Sequence, residues 1–282
     1  MGSNQGAILS NPNKVIGGIP AMGYGTWRSL GDASAKGVPW ALEAGYRHID
    51  TAQGYDNEQK CGAAIANSGI PRNEVFITTK IAPENYAPGK VRPSVETSLE
   101  KLRVDQVDLL LLHWPSPHDQ YPMASYVEQL AEVFDAGLAR MIGVSNFTIA
   151  QINQAAELLG DRRIATNQVE IHVYMQNRPI VDHCRSIGVA TTAYSPLSRG
   201  TIAGEPVLAE IGVAHDATGE QIALAFLLAE GHIVIPASSK KDRIFSNFQA
   251  QQIELSEDDV KRVRSLERGG RFGDGNSTPD WD

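Results

Sequence analysis

Two apolar rhythms alternate along the chain. One is short and nearly continuous, as in Val107-Asp108-Leu109-Leu110-Leu111-Leu112, a run of strand length of the kind buried on both faces of a parallel sheet. The other recurs every three to four positions, as at Ile152, Ala155, Ala156 and Leu159, and marks one face of a helix. Strands are expected over residues 21–27, 46–50, 75–80, 107–112, 140–144, 165–170, 189–194 and 232–235. Helices are expected over 33–43, 57–67, 91–102, 124–136, 179–187 and 218–230. Thr148 with Gln151, and Thr218 with Gln221, have capping-box spacing, in which a hydroxyl takes an otherwise orphaned helix N–H and the amide reaches back to the cap. Gly160 ends the first of these two helices, and a final helix after Ser256 carries Val260, Val263 and Leu266. Ile16-Gly17-Gly18-Ile19-Pro20 reads as a tight turn between short extended pieces.

About eight strand–helix units, joined by short connections without a break in composition, predict an α/β fold. The expectation is one (β/α)8 TIM barrel domain over residues 1–282, with an N-terminal β-hairpin and a C-terminal extra helix. An open doubly wound sheet that binds a dinucleotide would carry a Gly-x-Gly-x-x-Gly turn after its first strand. Met22-Gly23-Tyr24-Gly25-Thr26-Trp27 has only the first half of that spacing.

Composition narrows the partners. The 282 residues are 42% hydrophobic and 21% charged, with a net charge of -8, which argues against nucleic acid or an anionic membrane as the main partner. No window approaches the roughly 20 apolar residues of a membrane span, and the N-terminus lacks a signal-peptide core. Cys61 and Cys184 are too few for a disulfide framework, so a reducing cytoplasm is the expected setting. A monomer is expected, with residues 1–14 a candidate disordered arm.

In a barrel, the C-terminal ends of the strands converge on one mouth. Those ends carry Trp27, Asp50, Lys80, His113, Ser145 with Asn146, Gln168 with Glu170, and Tyr194. Asp50, Tyr55, Lys80 and His113 make a coherent acid–base device. A phenol is a weak acid near neutrality unless a cation beside it stabilises the phenolate. Lys80 can be that cation, kept charged by Asp50, while His113 orients a carbonyl oxygen beside Tyr55. A metal-dependent hydrolase built on His48-x-Asp50 with Lys80 and His113 is a competing reading, but such sites need three or more ligands at strand ends. His118, His172, His183, His215 and His232 fall mostly in loops or helices, and no metal is expected.

The chain resembles the aldo-keto reductase family from about Ile19 to Leu266. The likeness rests on Gly25-Thr26-Trp27, Asp50-Thr51-Ala52-x-x-Tyr55-x-Asn57-Glu58, Thr79-Lys80, Leu112-His113-Trp114-Pro115, Ile142-Gly143-Val144-Ser145-Asn146-Phe147, Asn167-Gln168-Val169-Glu170 and Ala193-Tyr194-Ser195-Pro196-Leu197, all in family order. The ending Thr278-Pro279-Asp280-Trp281-Asp282 is similar to that of small bacterial members. The resemblance implies hydride transfer from NADPH to an aldehyde or ketone, with Tyr55 as proton donor supported by Asp50, Lys80 and His113. It places Ser145, Asn146 and Gln168 on the nicotinamide carboxamide and Tyr194 against the ring, with Gly25, Thr26, Trp27, Asp50 and Ile235 also at the cofactor. Ser195, Leu197 and Ser198 are implied along the pyrophosphate. Ser238 and Ser239 are expected to open a helix, with Ser238, Ser239, Lys240 and Arg243 at the 2'-phosphate and Asn247 near the adenine. Ala237 stands where the family usually has a lysine, which removes one phosphate contact and weakens the expected preference for NADPH.

The implied substrate pocket contains Tyr24, Trp27, Tyr55, His113 and Trp114. Residues 116–123, 198–205 and the tail after Gly269 are short, so small carbonyls are favoured: methylglyoxal and other α-dicarbonyls, ketoesters or keto-sugar acids. A nicotinamide-binding redox sensor with slow turnover is the alternative, separable by measuring turnover against cofactor retention.

Overall fold

The computed structural model describes residues 14–27, 32–273 and 278–282; thirteen of the residues expected to form a disordered arm, 1–13, lie outside the described residues. A hairpin, β1 (Val15–Ile16) and β2 (Ile19–Pro20), precedes β3 (Tyr24–Gly25) and α1 (Asp32–Ala44). The chain then runs β4 (His48–Asp50), α2 (Glu58–Ala66), β5 (Phe76–Ile81), α3 (Val91–Leu102), β6 (Val107–Leu112) and α4 (Met123–Asp135). It continues β7 (Ala139–Ser145), α5 (Ile149–Leu159), β8 (Ile164–Glu170), α6 (Arg178–Ser186) and β9 (Ala190–Tyr194). The last elements are α7 (Pro206–Ala214), α8 (Gly219–Ala229), β10 (Ile233–Val234), α9 (Lys241–Gln249) and α10 (Glu257–Arg264). Strands β3 to β10 pair in sequence order, each parallel to the next. A parallel bridge between Met22 and Val234 joins the two edges, so the sheet closes as the strand–helix rhythm predicts.

Alternation with period two sorts the strand side chains. Phe76, Thr78 and Lys80 of β5, His48 and Asp50 of β4, and Thr166, Gln168 and Glu170 of β8 form the inward rows. The opposite rows, including Ile77, Ile81, Leu110 and Leu112, pack in the apolar layer beneath the helices. Polar groups inside the barrel are paired: His48 Nε2 lies 2.9 Å from Thr78 Oγ1, and the hydroxyls of Thr166 and Thr192 are 2.9 Å apart. The hairpin plugs the N-terminal end, with Ile19 in a buried cluster with Phe76, Leu109, Leu111 and Ile233. Its turn places Gly17 and Gly18 at φ 58° and 87°, a conformation that side chains with a Cβ rarely adopt.

Both capping boxes are present, on Thr148 with Gln151 and on Thr218 with Gln221. Three expectations need correction. Of the strand expected over 21–27, only Tyr24–Gly25 is regular, because the chain there is recruited by single bridges and bonds to β10. Helix α7 was not foreseen; it is apolar around much of its circumference and has no sharp period. The final helix stops at Arg264, leaving Leu266 beyond it.

Candidate active site

Lys80 is fully buried, and its ammonium has three acceptors. Nζ donates to Asp50 Oδ1 at 2.5 Å, to the Thr51 carbonyl at 2.8 Å and, at a longer 3.4 Å, to the hydroxyl of Tyr55. Burial opposes the charge on Lys80, but the fields of Asp50 and Tyr55 outweigh it, and its pKa lies above the usual lysine value. For Tyr55, burial raises the pKa and Lys80 lowers it, with a net rise, so the phenol is held protonated. The ring of His113 meets that of Tyr55 edge-on at 5.4 Å. Burial and the nearby Lys80 charge push the His113 pKa down to about 3, so at neutral pH it is an uncharged imidazole with one N–H to give.

Tyr55 sits in a single 3-10 turn, Gln53–Tyr55, directly after β4. Gln53 fixes that turn: its carbonyl oxygen accepts from the Ala82 N–H and Asn85 Nδ2, both at 2.9 Å, and its amide donates to Ser98 at 3.1 Å. Asn57 clamps the other side, taking the Thr51 hydroxyl at 2.7 Å and donating to the Thr26 carbonyl at 2.9 Å. Glu58 accepts from Thr79 at 2.6 Å and from Ser98 at 3.2 Å. Asn57 and Glu58 belong to the Asp50–Glu58 motif, in which sequence alone gives them no task, and Gln53 is one of its unspecified positions. Their partners are far apart in the chain, so no local pattern marks them.

Asp50, Tyr55 and His113 open on a cavity of about 300 Å³ at the C-terminal ends of the strands. Its walls also include Gly25, Trp27, Trp114, Ser145, Asn146, Gln168, Tyr194, Ser195 and Ile235 from the sequence reading, and Arg199, Ala237 and Gly273, which that reading gave no place in the pocket. Gln168 Nε2 donates to Asp50 Oδ2 at 2.8 Å, while its main-chain carbonyl accepts from Ser145 Oγ and the Asn146 N–H. Asn146, held at φ 64°, accepts from the Tyr194 hydroxyl at 2.9 Å and donates to the His113 carbonyl at 3.1 Å.

Tyr24 is corrected from pocket wall to core residue. In the two-residue strand β3 it faces outward while Gly25 faces in; its ring packs against Tyr46 and its hydroxyl donates to the Ser238 carbonyl. The helix start is corrected too: α9 begins at Lys241, and the Ser238 hydroxyl instead accepts the Lys240 N–H within the preceding loop. Lys240, Arg243 and Ser239 are exposed around this turn, and Asn247 is buried in α9.

A nicotinamide dinucleotide fits the residues present. After β9 the chain turns through Ser195, Ser198 and Arg199, all at positive φ, and the buried Ser198 Oγ has no hydrogen-bond partner in the structure. A buried hydroxyl is costly to leave unpaired, so a polar ligand beside this turn has a physical reason to bind. Trp27, 38% exposed, forms the rim beside it.

The aldo/keto reductase family model matches residues 21–268. The chain is similar to methylglyoxal reductase DkgB of Escherichia coli O157:H7, at 44% identity over 265 residues, covering 94% of this chain and 99% of that one. Among solved structures, a candidate 2,5-diketo-D-gluconic acid reductase B aligns with a TM-score of 0.90 at 41% identity, covering 94% and 95% of the two chains. The aldose reductase of Schistosoma japonicum aligns with a TM-score of 0.86 at 33% identity, covering 90% of each.

Proposed function

The chain belongs to the aldo/keto reductase family and is an oxidoreductase, and from that premise we propose that it reduces the aldehyde or ketone of a small carbonyl compound to an alcohol, with NADPH as reductant and Tyr55 as proton donor. The observation that carries this reading is the buried Lys80 ammonium, shared between Asp50 and the Tyr55 hydroxyl inside the mouth of the barrel.

When bound, the reduced nicotinamide supplies a hydride to the carbonyl carbon. His113, neutral, gives its N–H to the carbonyl oxygen and so orients it. Tyr55 passes its proton to that oxygen as negative charge builds there. Lys80 stabilises the phenolate left behind, and Asp50 keeps Lys80 charged. Ser145, Asn146 and Gln168 would hold the carboxamide end of the cofactor, Tyr194 its ring, and the turn from Ser195 to Ser198 its pyrophosphate. Lys240 and Arg243 favour a 2'-phosphate, less strongly than they would with a lysine at Ala237.

Among substrates, the small cavity and its Trp27 and Trp114 walls favour compact carbonyls. DkgB is named a methylglyoxal reductase, and α-dicarbonyls are therefore the first class to assay, with keto-sugar acids and ketoesters next. The test is oxidation of NADPH across that panel by the native enzyme and by Tyr55→Phe. The expected result is turnover that falls on the order of 10² to 10⁴-fold in the variant with the fold intact. Equal turnover by the two proteins overturns the role of Tyr55, and NADH matching NADPH in kcat/KM overturns the cofactor preference.

A further inference from the structure

Glu170, the last residue of β8, faces the mouth of the barrel, is wholly buried, and takes no part in the proton chemistry above. Its carboxylate is nevertheless fully engaged. Oε1 accepts from His172 Nε2 at 3.0 Å and from the Phe272 N–H at 2.8 Å, and Oε2 accepts from the Gly273 N–H at 2.8 Å. His172 Nδ1 accepts the Tyr174 N–H at 3.2 Å, so the ring's proton resides on Nε2 and points at Glu170. The C-terminal stretch is thereby fastened residue by residue. The Tyr174 carbonyl takes the N–H groups of Arg268 and Gly270, and then Glu170 takes those of Phe272 and Gly273.

The fastened stretch reaches the cavity at its last residue. Gly273 lines it, and a Cβ at that position would lie 3.0 Å from Glu170 Oε2 and 3.1 Å from the Tyr194 hydroxyl. The Arg199 guanidinium lies over the rings of both Trp27, at 5.2 Å from the ring centre, and Phe272, at 5.4 Å. Arg199 thus links Trp27, also a wall of the cavity, to Phe272, whose N–H Glu170 holds.

We propose that Glu170 is a positioning residue that sets the size limit for the substrate, by anchoring Gly273 as a wall of the pocket and Phe272 against Arg199, which also lines it. A carboxylate suits this task. Two main-chain N–H groups converge on it, and a charged acceptor binds them about twice as strongly as a neutral one, whatever side chains the tail carries. The anchoring half stands on geometry alone; the specificity half rests on the reductase reading.

The test is Glu170→Gln in the full chain, with two readouts. Hydrogen exchange over residues 268–273 should quicken in the variant, because the amide offers one neutral acceptor where the carboxylate offered two charged ones. In steady-state assays, KM for a compact dicarbonyl should rise about tenfold, the scale of one charge-assisted hydrogen bond, with kcat little changed. The ratio of kcat/KM for an aromatic ketone to that for the dicarbonyl should rise. Gly273→Pro keeps the Glu170 carboxylate and His172 in the chain, deletes one of the two donors and crowds Glu170 Oε2 with its ring, so it should reproduce the exchange and KM effects; it decides the question if Glu170→Gln does not fold. Unchanged exchange in both variants overturns the anchor. A loss of kcat at constant KM, or a fixed substrate ratio, overturns the positioning role. Absence of turnover by the native enzyme on every carbonyl overturns the functional reading instead, while the exchange experiment still decides the anchor.

Discussion

Lys80 presents three ammonium hydrogens to three acceptors in a space without water exposure, and only Asp50 among those acceptors carries a formal countercharge. Breaking a buried pair from one side leaves the other charge uncompensated, at a cost of about 3–5 kcal/mol, whereas replacing both partners by apolar groups is often close to neutral. Asp50→Asn is therefore expected to lower both stability and kcat. Adding Lys80→Met should restore much of the stability, measured by denaturant unfolding, and none of the activity. If the double variant stays as unstable as the single one, the pair is a structural unit rather than a functional charge held against its own desolvation. Asp50, Lys80 and His113 were legible in sequence because each ends an apolar run, and Tyr55 because it follows one within a short loop; barrel topology brings such positions to one mouth. Tyr24 was misread because a two-residue strand does not reveal which of its faces points inward. Arg199 and Gly273 were missed because their place in the cavity depends on where a turn and a tail come to rest.

At the scale of elements, the pairing of β7 with β8 shifts register between Ile142 and Val144, so that Ser145 comes to lie beside Gln168. Gly143 occupies the shift. A Cβ there would fall 2.6 Å from the Thr166 carbonyl oxygen and 2.8 Å from Leu111 Cδ2, and the first of these is main chain inside a closed sheet that cannot retreat far. Gly143→Ala should cost about 1–3 kcal/mol by overpacking, read from denaturant midpoints. Gly54→Ala serves as control, since its added Cβ meets nothing within 4 Å. Equal midpoints for the two variants would mean the strands can separate at the shift. Two helix starts were the most readable features of the chain, because Thr148 with Gln151 and Thr218 with Gln221 write them into four adjacent residues. The register shift was not readable. It arises from the fit between neighbouring strands, and the glycine that permits it looks like any other in an apolar run.

Across the whole molecule, acid stability should be governed first by buried histidines. His48 bridges the hairpin to the barrel interior, its Nδ1 3.2 Å from the Pro20 carbonyl and its Nε2 2.9 Å from Thr78 Oγ1. His232 places Nδ1 2.7 Å from Thr191 Oγ1. Burial lowers the pKa of both, that of His232 to about 4. In the unfolded chain each titrates near the ordinary value of about 6.5. Below that point the unfolded state takes up protons that the folded state refuses, so stability is intact above about pH 6.5 and lost as pH falls toward the folded values, at up to about 1.4 kcal/mol per pH unit for each histidine. Glu170 and Glu230 have pKa values below the usual carboxylate range; burial opposes this, but their hydrogen bonds outweigh it. Their stabilisation is present above the unfolded carboxylate value of about 4.3 and is lost only below it, so the two windows barely overlap. Thermal unfolding should give a Tm nearly level from about pH 7 to 8 and a decline beginning near pH 6.5, above the range in which Glu170 and Glu230 lose their stabilisation. His232→Asn keeps an N–H to offer Thr191 but has no proton to gain, and it should flatten the decline between about pH 6.5 and 4.5. An unaltered slope in that variant would exclude His232 as its source and leave that pH range to His48 and His113, whose pKa values burial also lowers.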